Sequence, residues 1–167
     1  MRGGFDFSSW QAVLSTLLGL ALFSLVVVGI RLLVMHTVQL RRERENRQIN
    51  ERLRTLAAKI QTSLIIFQSN HEGALVDTLQ KHIDEVAGAI INPAGLTQYS
   101  VSLHDCIKAM PFPVIECHLS NLATREEWRH HSIISSAVKG TVQGLGWRSY
   151  TAALRTLVEM VREKKQS

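Results

Sequence analysis

Hydrophobic and polar positions follow two different regimes along this chain. From Phe7 to Ile30 there is no charged residue, Ala12–Ile30 is almost wholly apolar, and Leu32–Met35 resume after a single Arg31. About 20 consecutive apolar residues in a helix match the thickness of a bilayer core. The pattern predicts one membrane-spanning helix through residues 10–35, with Trp10 at an interface. A cleaved signal peptide fits less well, because the segment lacks a strongly basic start and a small-x-small cleavage site. A soluble core helix is seldom apolar on every side for this length.

Beyond the apolar run the periods shorten. Residues 38–60 hold no Gly or Pro, and Ile49, Leu53, Leu56 and Ile60 recur at spacings of four, three and four. That is one face of an amphipathic helix. It suits packing on a sheet, and a short coiled coil is the alternative. Short apolar runs then alternate with helical stretches. Strands are expected at Ser63–Phe67, Gly88–Ile91, Val114–Cys117 and Ala137–Gln143, and helices at Glu72–Val86, Tyr99–Ala109 and Trp147–Arg162. Such alternation implies an α/β fold, a parallel sheet with helices on both faces. Three segments follow: residues 1–36 as tail and transmembrane helix, 37–60 as a basic juxtamembrane helix, and 61–167 as the α/β domain.

Charge sharpens this division. The net +5 of the chain lies entirely in residues 31–60, which hold eight Lys/Arg against three Glu, while 61–167 hold ten of each sign. A basic collar beside an apolar span stays on the cytoplasmic side. The expected localisation is a single-pass membrane protein with its C-terminal domain in the cytoplasm. No basic patch remains on the domain itself, so no nucleic acid is expected as a partner. Cys106 and Cys117 lack CxxC spacing, which argues for a reducing compartment, no disulfide framework and no metal site.

Polar residues gather where the strands end. The first expected strand runs into Gln68-Ser69-Asn70-His71-Glu72-Gly73, the second into Asn92-Pro93-Ala94-Gly95, and the third into His118-Leu119-Ser120-Asn121. Ligands of open α/β sheets bind outside these carboxyl ends. Amide, hydroxyl, imidazole and carboxylate groups together suit a small, polyhydroxylated, anionic molecule. No Gly-rich phosphate loop is present, so a nucleotide fits poorly.

These loops, together with Arg125-Glu126-Glu127-Trp128-Arg129-His130-His131-Ser132 and Gly144-Leu145-Gly146, occur in an order that resembles type II 3-dehydroquinate dehydratase. The resemblance runs from about Ile49 to Met160. It implies a flavodoxin-like fold and a homo-oligomer, a dodecamer of trimers. It also implies trans-dehydration of 3-dehydroquinate to 3-dehydroshikimate through an enolate, in the shikimate or quinate pathway, with no metal or organic cofactor. By the same resemblance His118 is the proton donor and Glu116 an orienting acid. Asn92 and Arg129 bind substrate hydroxyls, and Leu119 and Ser120 hold the substrate carboxylate. Gln98 takes the place of a substrate-binding His, and Asp105 is an acid offered to a neighbouring subunit's site. Arg125 supports the loop.

The chain departs from that family in one large respect. The family begins with a strand, a G-P-N-L-N segment and a mobile R-E-P-x-x-Y-G loop that carries the base tyrosine and the enolate-stabilising arginine. The membrane span and basic collar stand there instead. Tyr99 and Tyr150, the two tyrosines, align with other family positions. The expected domain therefore lacks the first strand and the lid loop, and its activity is expected to be impaired. A non-catalytic, membrane-anchored relic or interaction module of the same fold is the alternative. Lys139, Thr141 and Gln143, where the family is more apolar, would be costly if buried unpaired.

Overall fold

A computed structural model describes residues 7–166. Contacts divide the chain into two compact units, the first ending at Arg47 and the second running Gln48–Ser167. Helix α1 (Phe7–Lys59) begins in the first unit and ends in the second without interruption.

The first unit holds the apolar part of α1 and the start of the basic stretch that follows it. Its most apolar window has a mean hydropathy of 2.6 and no part of it is buried, so by length and composition it is able to cross a membrane. Exposure is even around the helix: Leu18, Phe23 and Leu25 are 66%, 67% and 68% exposed. Three hydroxyls in this unit, those of Ser15, Thr16 and Thr37, bond back to the helix backbone. Thr16 Oγ1 donates to the Ala12 carbonyl at 2.8 Å and Thr37 Oγ1 to that of Val34 at 2.8 Å. Such bonds satisfy the hydroxyl donors within the helix itself.

The second unit opens with the last turns of α1. Leu53, Leu56 and Ala57 are buried against Leu154 of helix α4 (Arg148–Gln166), with Ile49 and Ile60 at the margin. The four-three-four stripe thus packs against α4 and Ile90 of the sheet rather than on another copy of itself. The helix stops at a left-handed residue, Gln61 at φ 52°, where Thr62 N–H bonds back to the Ala57 carbonyl at 2.9 Å. That closure ties up carbonyls the helix end leaves open.

The segment Ser63–Phe67 corrects an expectation. It carries strand-like composition, and its exposure alternates residue by residue, yet it joins no sheet. A strand is defined by its neighbour's backbone groups. Leu64 and Ile90 pack on the same buried cluster of α1 and α4, but no ladder joins their backbones.

The sheet has three parallel strands in the order β1 (Ala89–Ile91), β2 (Val114–His118), β3 (Gly140–Gln143). Ile91 pairs with Glu116, and Glu116 with Thr141. Helices α2 (Glu72–Lys81) and α3 (Val101–Lys108) cover one face, where Leu103, Ile107, Phe112, Val114 and Ile134 form the core. The end of α1 and all of α4 cover the other, with Ile115, Ala153 and Leu157 in contact. Helices therefore lie on both faces. The crossover from β2 to β3 has no α-helix; it is built from three short 3-10 turns at Leu122–Thr124, Glu127–Arg129 and Ile134–Ser136. The remaining expected helices and strands appear within a few residues of their sequence bounds.

Central strand β2 is buried at all five positions. Alternation sends Val114, Glu116 and His118 to the α2–α3 side and Ile115 and Cys117 to the α4 side. Both cysteines are free and buried. Burial raises the Cys106 thiol above its usual range and pushes the Cys117 thiol up to about 12.

Candidate active site

Glu116 and His118 lie two residues apart on β2, so both side chains reach the same face. The His118 Nε2–H donates to Glu116 Oε1 at 2.7 Å, with the two side chains 5% and 0% exposed. A carboxylate at the centre of a sheet is costly unless its lone pairs are filled. Here they are. Ser132 Oγ donates to Oε1 at 2.8 Å, Ser135 Oγ donates to Oε2, and Thr141 Oγ1 on β3 reaches Oε2 at 3.4 Å. Burial alone would raise the Glu116 pKa, but hydrogen bonds from His118, Ser135 and Ser132, with the charge of His118, hold it below the usual carboxylate range.

The arrangement fixes the ring. A bond from Nε2–H to the carboxylate orients the imidazole and leaves Nδ1 to act elsewhere. His118 is the last residue of β2, so this nitrogen works at the carboxyl end of the sheet, where ligands bind.

Asn92 follows β1 directly. Its Oδ1 accepts the Ala94 N–H at 3.1 Å and its Nδ2 donates to Tyr150 Oη at 2.9 Å. Tyr150 lies in the first turns of α4. Burial pushes its phenol above the ordinary value; the bond from Asn92 works in the opposite sense without overcoming that.

The loop after β2 is tied at several points. Gly146 N–H donates to the Leu119 carbonyl at 2.9 Å, and Gln143 Oε1 accepts the Leu122 N–H at 3.1 Å. Gly144, at φ +85°, lets the β3–α4 turn approach this loop: a Cβ there would sit 3.1 Å from Asn121 Cβ. Ser120, half-buried, accepts from Arg125 Nη1 at 3.4 Å. Lys139, Thr141 and Gln143 are exposed rather than buried, which removes the penalty their polarity threatened.

Arg129 is engaged within its own turn. Its Nε bonds Glu126 Oε2 at 3.0 Å and its guanidinium stacks 4.0 Å from the Trp128 ring. Arg125 Nε shares the same Glu126 oxygen at 3.3 Å. Gln98 Nε2 donates to the Arg129 carbonyl at 3.4 Å, while its Oε1 is buried without a partner. Asp105 is set apart. Its carboxylate, 71% exposed on α3, accepts from His104 Nδ1 at 2.8 Å.

Of the residues singled out in the sequence, Asn92, Glu116, His118, Leu119 and Ser120 gather at or just beyond the strand ends, with Gln98 and Arg129 linked to each other. The pattern does not single out Ser132, Ser135, Thr141 or Tyr150. A signal existed for Tyr150, which precedes Ala153, Leu154 and Leu157 by three, four and seven on the buried face of α4. A shallow cavity of about 340 Å³ lies at the opposite, amino end of the strands, lined by Val86, Phe112, Pro113 and Val161. Apart from the rim lysines Lys164 and Lys165, its lining brings no polar side chains together, so the chemistry is not there.

A model of the class II dehydroquinase family matches residues 28–158. A 3-dehydroquinate dehydratase of Herpetosiphon aurantiacus is 44% identical over 111 residues, covering 66% of this chain and 77% of that protein. A protein of Ralstonia nicotianae named 3-dehydroquinate dehydratase 1 is 49% identical over 111 residues, 66% of this chain and 71% of that protein. The crystal structure of a type II dehydroquinase from Butyrivibrio crossotus superposes with a TM-score of 0.65 at 30% identity, covering 66% of this chain and 78% of that one.

Proposed function

The chain belongs to the class II dehydroquinase family, and on that premise we propose that its C-terminal domain binds 3-dehydroquinate and removes water from it to give 3-dehydroshikimate. The reaction takes a proton from the carbon beside the carbonyl, forms an enolate, and expels the hydroxyl one carbon further as water. The buried Glu116–His118 pair carries this reading. With Nε2–H on the carboxylate, a protonated His118 offers Nδ1–H to the departing hydroxyl, and Glu116 stabilises the positive ring until the proton moves. A positioned acid of this kind contributes a factor of about 10²–10⁴.

The other roles follow the family pattern. Asn92 and Gln98 bind substrate hydroxyls, the Leu119 backbone and Ser120 hydroxyl hold the carboxylate, and Arg129 turns from Glu126 to a hydroxyl. Asp105, exposed on α3, serves a neighbouring subunit in a homo-oligomer. No cofactor or metal is assigned a step.

The proton-abstracting base has no tyrosine to fill it. Tyr99 is 65% exposed, and Tyr150 is kept neutral by burial. Where the resemblance places the R-E-P-x-x-Y-G loop, Phe7–Lys59 form one helix, and on this reading turnover is reduced by about 10²–10⁴-fold. The unpaired Ser63–Phe67 segment favours a second reading, a membrane-anchored module that retains the fold without the chemistry.

We further propose that residues 10–35 span a membrane. The basic collar then sets the domain in the cytoplasm.

The test is an ultraviolet assay for 3-dehydroshikimate on detergent-purified chain, with His118→Ala alongside. Slow formation of product that the substitution abolishes supports the enzyme. A folded wild-type chain that forms no product at high enzyme concentration removes the catalytic reading and leaves the module.

A further inference from the structure

An asparagine amide has two N–H groups and an oxygen with two lone pairs, and it can turn end over end in a site unless both ends are pinned. Both ends of Asn92 are pinned. Its Oδ1 receives the Ala94 backbone N–H at 3.1 Å, which an NH₂ group cannot do. Its Nδ2 then faces Tyr150 Oη at 2.9 Å, 58 residues away in the sequence and on the opposite side of the β1–α4 contact. We infer that Tyr150 is a positioning residue: its phenolic oxygen fixes the Asn92 amide so that one N–H and one oxygen lone pair remain for the hydroxyls of the bound substrate. This rests on the dehydroquinate reading for the identity of that substrate, but the pinning itself does not.

The surroundings of Tyr150 suit the task. Its ring packs at the margin of the cluster formed by Leu53, Leu56, Ala57 and Leu154, which holds the hydroxyl at one place. Two hydrogen-bonded partners on separate elements make Asn92 rigid before substrate arrives, so little orientational freedom is lost on binding. The hydroxyl stays protonated through neutral pH because burial disfavours the phenolate. It therefore orients rather than abstracts. The other tyrosine of the sequence, Tyr99, lies exposed.

The test is a double-mutant cycle on the full chain in detergent, with 3-dehydroquinate binding read by calorimetry. Tyr150→Phe keeps the ring and removes the acceptor. It is expected to weaken binding about five- to tenfold through the orientational freedom Asn92 regains, and to lower the thermal midpoint by a few degrees, the cost of one hydrogen bond. In the Asn92→Ala background the same change is expected to do nothing, because Tyr150 acts through Asn92. Equal weakening in both backgrounds, or none in either, overturns the proposal. A substrate-free readout runs beside it: the Asn92 side-chain amide protons, followed by nitrogen-15 NMR, should exchange slowly in the wild type and quickly in Tyr150→Phe. Should the wild type bind no 3-dehydroquinate, the dehydroquinate reading falls, and the positioning role stands or falls on this exchange. A fast-exchanging Asn92 amide in the wild type sinks it.

Discussion

Glu116 shows at the scale of one side chain why a charge is tolerated in a sheet. Four donors, from His118, Ser132, Ser135 and Thr141, converge on its two oxygens. Gln in its place would present an NH₂ group to hydroxyls that now donate. Glu116→Gln is expected to cost about 1–3 kcal/mol, the usual loss when buried donors go unsatisfied, measured by urea unfolding. The pH dependence has a definite sign. The folded-state pKa of Glu116 is depressed, so its stabilisation is present above the ordinary glutamate value of about 4.3 and is lost as pH falls through the lower folded value. The stability gap between wild type and Glu116→Gln should therefore narrow below about pH 4. A gap that widens in acid contradicts the assignment. In the sequence, the two-residue spacing of Glu116 and His118 on an apolar strand was enough to place both on one face. The serines that stabilise the carboxylate were not legible, because Ser132 and Ser135 sit in an irregular crossover where no period predicts which way a side chain turns.

At the scale of elements, periodicity served where an element owns its hydrogen bonds or its burial. The stripe Ile49, Leu53, Leu56, Ile60 and the apolar run Val114–Cys117 were both readable. The segment Ser63–Phe67 was not, since apolar, β-branched composition states a preference and only a neighbouring strand satisfies it. The result is an edge at β1 and an extended segment with Ile65 54% and Phe67 48% exposed. Residues 61–71 carry no Asp, Glu, Lys or Arg, so none of the usual charge guards an edge of this kind. Ile65→Lys is expected to lower self-association of the purified chain by at least severalfold, as read by light scattering against concentration, while leaving the thermal midpoint within a few degrees. A strongly lowered midpoint would show instead that Ile65 belongs to the packed core.

The whole molecule joins two regimes of solvent preference in one polypeptide. The proposed anchoring predicts that the chain stays with the membrane fraction after alkaline carbonate extraction, and that protease added outside right-side-out vesicles leaves the C-terminal domain intact. Release by carbonate would remove the anchor. The fold class and the family of the domain were legible from loops in a fixed order. The length of α1 was not, because nothing in the sequence marks a break or its absence between span and collar. The two thiols add a practical property at this scale. Cys106 on α3 and Cys117 on β2 face opposite helical layers, and burial keeps both from ionising near neutral pH. A thiol reagent can reach either one only when the layer above it lifts. The chain thus carries two native clocks for opening, one for each side of the sheet, and their labelling rates, measured by mass spectrometry, would tell whether the domain comes apart in one step or lets one helical layer go before the other.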